Sequence, residues 1–141
     1  MKIDVSEVSW SEQQAALSQV RREVFIEEQQ VPETLEWDGL DPQCRHVLAM
    51  DRESGIAVGT GRLVADGQIG RMAIRKEYRR QGIGHRILQQ LLEIARRDGH
   101  QQVYLHAQLT AVVFYQQAKF EACGETFMDA GIPHVKMTLR L

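Results

Sequence analysis

The sequence has few cysteines and lacks any long apolar run. Its two cysteines, Cys44 and Cys123, lie far apart in 141 residues and show no paired spacing, so the sequence predicts reduced thiols rather than a disulfide framework. No apolar run reaches the roughly 18 residues that a membrane-spanning helix needs. The start, Met1-Lys2-Ile3-Asp4, does not contain the apolar stretch of a signal peptide. We therefore expect a cytoplasmic protein with no membrane partner.

The sequence also lacks a metal-site pattern. Cys44 and His46 are close together, but no second pair with zinc-site spacing follows them, which argues against a structural metal. We expect no metal in the functional site.

An excess of charge of one sign is absent too. The formal net charge is −2, which provides no global argument for a nucleic-acid partner. Hydrophobic residues make up 43% and charged residues 26% of the chain, as in ordinary globular proteins. The length predicts a single domain over residues 1–141, and both a monomer and a homodimer remain open.

Apolar periodicity predicts a mixed α/β fold of the α+β type, with a mostly antiparallel sheet flanked by helices. Strands are predicted at 2–8, 46–50, 56–64, 68–74 and 103–106, with a closing hairpin of 125–130 and 134–141. Helices are predicted at 12–25, ending near Glu27, from Ile83 to Gly99, and around 111–118. A crossover should place strand 103–106 parallel to strand 68–74. The long segment 29–43 is predicted to be an irregular loop with one helical turn, and long connections of this kind are often lids or binding loops.

The strongest local signal is a glycine-rich loop before the best helix. Gly82 and Gly84 stand where the first backbone N–H groups of a helix have no intrahelical partner, and an anion fits there. Basic residues surround the loop, with Glu77 as the nearby acid: Arg75, Lys76, Arg79, Arg80 and Arg86. The spacing satisfies neither the phosphate-loop motif nor the dinucleotide fingerprint. The competing interpretation is a tight turn with solvated arginines.

Two motifs together carry a resemblance to a known family. The first is Arg79-x-x-Gly82-x-Gly84 after strand 68–74, and the second is Gln108-x-x-Ala111-x-x-x-Tyr115-x-x-x-x-Phe120. They resemble the signatures of the GNAT superfamily of N-acetyltransferases. This sequence departs from the second signature at Gln108, where the family has Asn, and at Lys119, where it has Gly. The resemblance covers roughly residues 45–141.

The resemblance implies a GNAT-like fold and acetyl-CoA as cosubstrate. The cofactor-binding residues it implies are Met72, Ala73 and Ile74 along the pantetheine arm, Arg79, Arg80, Gln81, Gly82, Ile83 and Gly84 around the pyrophosphate, and Gln108 and Tyr115. It also implies that the strand after the helix splays away to open a slot. Tyr115 would lie near the sulfur and protonate the departing thiolate. The alternative is that Tyr115 is a core aromatic residue.

The general base is less well defined. Many relatives are similar in placing a Glu on the strand before the loop, but Gly70-Arg71-Met72 occupies that stretch here. A base must accept a proton from the acceptor amine directly or through water. The candidates are Glu27, Glu28, Asp38, Asp41, His106 and His134, and we rank Glu28 and His134 ahead of the others.

The function expected from these observations is transfer of an acetyl group from acetyl-CoA to a primary amine of a small-molecule or peptide acceptor. Two alternatives stay open. Arg21, Phe25, Trp37, Asp38, Asp41 and Arg62 resemble the N-terminal pattern of acyl-homoserine-lactone synthases. A non-catalytic CoA-binding module is the other alternative. The acidic segment 33–41 would attract a cationic amine, or would simply be solvated.

Overall fold

The first sheet is built by the N-terminal half of the chain. In the computed structural model, which describes residues 2–141, strands β1 (Ile3–Val8), β2 (Arg45–Asp51), β3 (Ile56–Leu63) and β4 (Ile69–Ile74) lie in the order β1-β2-β3-β4. All neighbouring pairs are antiparallel. The predicted meander is confirmed, and β1 extends it by one strand.

The second sheet contains β5 (Gln102–Gln108), β6 (Glu121–Asp129) and β7 (Ile132–Arg140) in the order β5-β7-β6. The predicted closing hairpin is present with longer strands. The parallel pairing expected between strands 68–74 and 103–106 is present at one bridge, Gln68 to Tyr104, which is all that joins them in residues 2–141. Beyond that bridge the strands diverge and leave a gap between the two sheets.

Helices cover both faces of the first sheet. Helix α1 (Trp10–Arg21) begins at Ser9, whose hydroxyl accepts a hydrogen bond from the Glu12 amide. It continues as a π-helix, Arg22–Glu28, so the predicted end near Glu27 is correct to one residue. The segment predicted as an irregular loop contains α2 (Glu33–Glu36) and a 3₁₀ turn, Asp41–Gln43.

Helix α3 (Ile83–Arg97) and the short α4 (Val112–Gln117) follow the loop and β5. The predicted apolar stripe of α3 is buried, and Gly99 ends the helix at φ +88. A Cβ at Gly61 of β3 would lie 2.6 Å from Ile87 Cγ2. This glycine therefore lets α3 pack close to the sheet, which directs the start of the helix toward the end of β4.

The core has two parts because successive residues of a strand face opposite sides of the sheet. Val47 and Ala49 pack with α3, whereas Leu48 packs with Leu17 and Val20 of α1.

Among residues 2–141, no helix combines the length and apolar character needed to span a membrane. Cys44 and Cys123 are free thiols.

Candidate active site

The divergence of β4 and β5 opens a cleft with a volume of 530 Å³. Its walls come from β4, β5, the segment after α1 and the β6–β7 turn. Of the residues predicted for the site, the cleft brings together Met72, Ala73, Ile74, Arg79, Gln108, Tyr115 and His134, and also Asp38 and His106. Glu27, Glu28, Asp41 and residues 80–84 do not line it.

A bulge in β4 marks the middle of the cleft wall. Thr60 pairs with Ala73 and Arg62 pairs with Gly70, so Arg71 and Met72 together oppose one residue of β3. Arg71 has φ +48, and its carbonyl accepts a hydrogen bond of 2.9 Å from the Thr60 hydroxyl. The bulge therefore fixes an unusual backbone geometry on the strand that faces the gap.

The glycine-rich loop lies at the start of α3. Gly82 is the N-cap residue at φ +80 and supplies no side-chain cap, so no side chain occupies the first amide groups of the helix. A Cβ at Gly82 would contact nothing within 4 Å, whereas one at Gly84 would lie 3.2 Å from the Phe114 ring. Gly82 therefore leaves room for an anion, while Gly84 is required by packing. The Ile83 side chain is buried in the core, which leaves its backbone for binding.

Arg79 is half-buried and is held in place by two partners. Its Nε donates to the Ile74 carbonyl at 2.8 Å, and its two terminal nitrogens donate to the Glu28 carboxylate at 2.7 and 2.6 Å. The hydrogen bond from Arg79 lowers the pKa of Glu28, which makes this carboxylate a weaker base. By contrast, Arg80 is exposed and makes no hydrogen bond or ion pair within residues 2–141.

Tyr115 of α4 lies at the inner end of the cleft. Its ring packs edge-to-face on Phe114 and Phe120, with centroid distances of 5.0 and 5.8 Å. Its hydroxyl makes no hydrogen bond with any side chain or backbone group of residues 2–141. Burial raises the pKa of Tyr115 to about 12. At neutral pH the phenol is therefore protonated and can donate one hydrogen bond to a ligand.

His134 of β7 also lines the cleft, and it pairs in register with Gln108 of β5. Its Nδ1 lies 2.7 Å from the Ile132 carbonyl, a geometry that assigns the proton to Nδ1 and leaves a lone pair on Nε2. Its ring stacks on Phe127, which in turn contacts the edge of His106. Burial lowers the pKa of His106. His134 thus lines the cleft with its tautomer fixed, so that Nε2 is the ring nitrogen available to a ligand.

Gln108 ends β5 and donates a hydrogen bond of 2.9 Å to the Gln29 side chain. Gln29 follows the π-helix and also lines the cleft. The contact between Gln108 and Gln29 was not predicted from the sequence, because no local pattern links two residues that are 79 positions apart. This bond ties the segment after α1 to the end of β5.

The carboxylates Asp38 and Asp41 belong to an ion cluster in which Arg21, Glu36, Asp41 and Arg62 are buried and Asp38 is partly exposed. Arg62 donates to Asp38 at 2.8 Å and to Asp41 at 3.1 Å, and Arg21 donates to Asp41 at 2.7 Å and to Glu36 at 2.8 Å. Burial raises the pKa of Asp38, but the hydrogen bond and charge of Arg62 outweigh it and lower that pKa to about 2. These contacts disfavour both aspartates as bases.

Within residues 2–141, no group of three or more His, Cys, Asp or Glu side chains could hold a metal ion.

Comparisons with known proteins show which sequences this chain is similar to. The family profile of the acetyltransferase (GNAT) domain matches residues 9–141. The chain is 39% identical over 123 residues to the protein YyaT of Bacillus subtilis (strain 168), covering 84% of this chain and 83% of YyaT. It is 36% identical over 120 residues to the uncharacterized N-acetyltransferase YjcF of the same strain, covering 84% and 86%.

A solved structure is similar over nearly the whole chain. The crystal structure of an acyl-CoA N-acyltransferase from Pseudomonas aeruginosa superposes with a TM-score of 0.85 at 31% sequence identity. The match covers 97% of this chain and 99% of that protein. The two chains therefore share the arrangement of both sheets and the helices around them.

Proposed function

This chain belongs to the GNAT acetyltransferase family, and on that premise we propose that it transfers the acetyl group of acetyl-CoA to a primary amine. The observation that carries the proposal is the gap between β4 and β5, which Tyr115 lines and whose lining residue Arg79 precedes the uncapped start of α3. An elongated ligand with a phosphate end and a reactive end fits these two features.

Binding of the cosubstrate would use backbone groups first. The free amides at the start of α3 would bind the pyrophosphate, and Arg80 would add a nearby positive charge. Arg79 would act by holding the loop against Glu28 and Ile74. The backbone of Met72, Ala73 and Ile74 does not pair with β5 and would bind the amides of the pantetheine arm, although the Ile74 carbonyl already accepts a hydrogen bond from Arg79.

Chemistry would take place between Tyr115 and His134. The amine nitrogen attacks the thioester carbonyl, a C–N bond forms, and the C–S bond breaks. His134 Nε2 would accept the proton that the amine loses, directly or through water. The Tyr115 hydroxyl would donate a hydrogen bond to the sulfur as it becomes a thiolate. We favour His134 over Glu28 as the base, because the Glu28 carboxylate is engaged by Arg79.

The residues that suggest an acyl-homoserine-lactone synthase have a structural explanation here. Arg21, Asp38, Asp41 and Arg62 form the ion cluster that holds the segment after α1 against the sheet. Their presence is accounted for without that activity.

The test is a panel of amines assayed for thiol release from acetyl-CoA, with the product identified by mass. We expect thiol release that depends on the amine and an acetylated product. Binding of acetyl-CoA without amine-dependent release would favour the non-catalytic module. Activity restricted to an acyl-carrier-protein donor would favour the lactone-synthase alternative.

A further inference from the structure

The acidic segment before β2 has no unpaired carboxylate to present to a cationic acceptor. Each of its acidic side chains from residue 33 to 41 is bound to an arginine. The pairs are Glu33 with Arg22 at 2.7 Å, Glu36 with Arg21 at 2.8 Å, Asp38 with Arg62 at 2.8 Å, and Asp41 with Arg21 at 2.7 Å. The charge of this segment is therefore balanced within the protein, and it does not define a site for a polyamine.

Arg71 completes the charge balance of this segment, because it also pairs with Asp38 at 3.3 Å, and it lines the cleft. Its Nη2 donates to the Glu36 carbonyl at 2.9 Å, and its Nε lies 3.1 Å from Glu36 Oε2. These contacts fix the guanidinium against α2. Its Nη1 makes no hydrogen bond or ion pair with any group of residues 2–141, and Arg71 lines the cleft. One nitrogen of a fixed guanidinium is thus left to bind a ligand.

The backbone at Arg71 supports a functional interpretation. A side chain disfavours φ +48, whereas glycine adopts this conformation freely. Strained residues of this kind cluster at functional sites. The conformation turns Arg71 out of the regular alternation of β4 and sets its side chain at the cleft, next to Met72.

The position of Arg71 suits an acceptor that carries an anion beside its amine. Arg71 directly precedes the backbone proposed to hold the pantetheine arm, so its charge lies close to the reacting amine. A nearby cation favours the neutral form of an amine, which is the nucleophile. Asp129, at the end of β6, also lines the cleft and has no ion pair or hydrogen bond in residues 2–141. Asp129 would therefore favour the ammonium form in which the acceptor first binds, whereas Arg71 would pair with its carboxylate.

We propose that Arg71 binds the carboxylate of the acceptor, and that the acceptors are free amino acids, in which a carboxylate lies next to the nucleophilic amine. This inference rests on the proposed acetyl transfer. It makes Arg71 a specificity-determining residue, because guanidinium groups bind carboxylates by charge-assisted hydrogen bonds.

The test compares L-amino acids with their carboxamides as acceptors of acetyl-CoA, at equal concentrations of unprotonated amine. We expect kcat/KM for the acid to exceed that for its carboxamide by about tenfold or more, the range of a hydrogen bond to a charged group. Arg71→Met should remove most of this preference, by lowering kcat/KM for the acid far more than kcat/KM for the carboxamide. Arg71→Lys keeps the charge and should retain part of the preference.

Arg62→Met is the matched control. Arg62 belongs to the same ion cluster but does not line the cleft. This variant should lower the melting temperature and leave the ratio of acid to carboxamide unchanged. Equal rates for acids and carboxamides in the parent protein would overturn the inference. An equal loss for both acceptors in a folded Arg71→Met variant would overturn it as well.

A second readout separates this inference from the proposed function. Melting of the protein saturated with CoA is measured with amino acids and with their carboxamides. If CoA binds but no amine is acetylated, acetyl transfer is wrong. A stabilisation by acids that is larger than that by carboxamides, and is lost in Arg71→Met, still supports Arg71 as the carboxylate site. Equal stabilisation contradicts it.

Discussion

Replacing Tyr115 by phenylalanine removes one hydroxyl from the inner end of the cleft and keeps the ring. The edge-to-face contacts with Phe114 and Phe120 do not involve the hydroxyl. Because the hydroxyl has no hydrogen-bond partner in residues 2–141, its removal leaves no group unpaired. We therefore expect the free energy of unfolding to stay the same or to rise slightly.

The size of the catalytic effect follows from the pKa of this phenol. Burial raises the pKa of Tyr115 to about 12, whereas an ordinary thiol has a pKa of about 8.5. Full proton transfer from the phenol to the thiolate is therefore uphill by roughly 5 kcal/mol, at 1.36 kcal/mol per pKa unit. Tyr115 is better suited to donate a hydrogen bond to the developing thiolate. Such a bond to a charged group is worth about 1.5–3 kcal/mol, which corresponds to a decrease in kcat of roughly 10- to 150-fold.

The assay measures kcat by thiol release, with acetyl-CoA affinity and melting temperature measured on the same samples. Tyr104→Phe is the matched control, since Tyr104 donates its hydroxyl to Asp66 and does not line the cleft. It should leave kcat unchanged. If Tyr115→Phe has the kcat of the parent with a good acceptor, the hydroxyl does not act on the sulfur and Tyr115 is a core residue.

Three further predictions concern the loop, the base and the ion cluster. Arg80→Ala should weaken acetyl-CoA binding roughly tenfold at low salt and by less at high salt. Arg79→Ala should weaken binding to the same extent at both salt concentrations, because Arg79 acts by holding the loop. If the two variants show equal salt dependence, the different roles given to Arg79 and Arg80 are wrong. His134→Gln should lower kcat/KM about 100-fold, and His100→Gln should not; an unchanged rate over the whole pH range would exclude His134 as the base. Since the folded pKa of Asp38 is about 2, below its usual 3.8, its contribution is present above pH 4 and lost as the pH falls through 2. Asp38→Asn should thus reduce the free energy of unfolding by about 2 kcal/mol at pH 6, with a difference that closes near pH 2 in denaturant titrations; a constant difference would contradict the ion cluster.

Features that depend on local periodicity could be predicted from the sequence. The α3 stripe from Ile83 to Ala95 reflects the 3.6-residue period of a helix, and the strands of the first sheet follow from their turn signals. The left-handed Gly99 that ends α3 is a local requirement as well. Fold class and the position of the loop therefore followed from the order of elements.

Features that depend on distant contacts could not be predicted. The Glu28 carboxylate accepts hydrogen bonds from Arg79, which is 51 residues away in sequence. The sequence does not show this contact, so it could not indicate that Glu28 is a weak base. Gly84 was assigned to phosphate approach, but its neighbour is Phe114 of α4. The π-helix after α1 likewise depends on tertiary packing, which has no short-range signature. The divergence of β5 from β4 has no such signature either, and it was expected only because the family resemblance implies it.

The central claim is that acetyl-CoA binds in the gap between β4 and β5 with its sulfur at Tyr115. A crystal structure of the acetyl-CoA complex tests it most directly. We predict that the pyrophosphate accepts hydrogen bonds from the backbone at the start of α3, that the pantetheine arm pairs with Met72–Ile74, and that the sulfur lies within hydrogen-bond distance of the Tyr115 hydroxyl. Acetyl-CoA bound elsewhere, or bound with its sulfur away from Tyr115, would contradict the account.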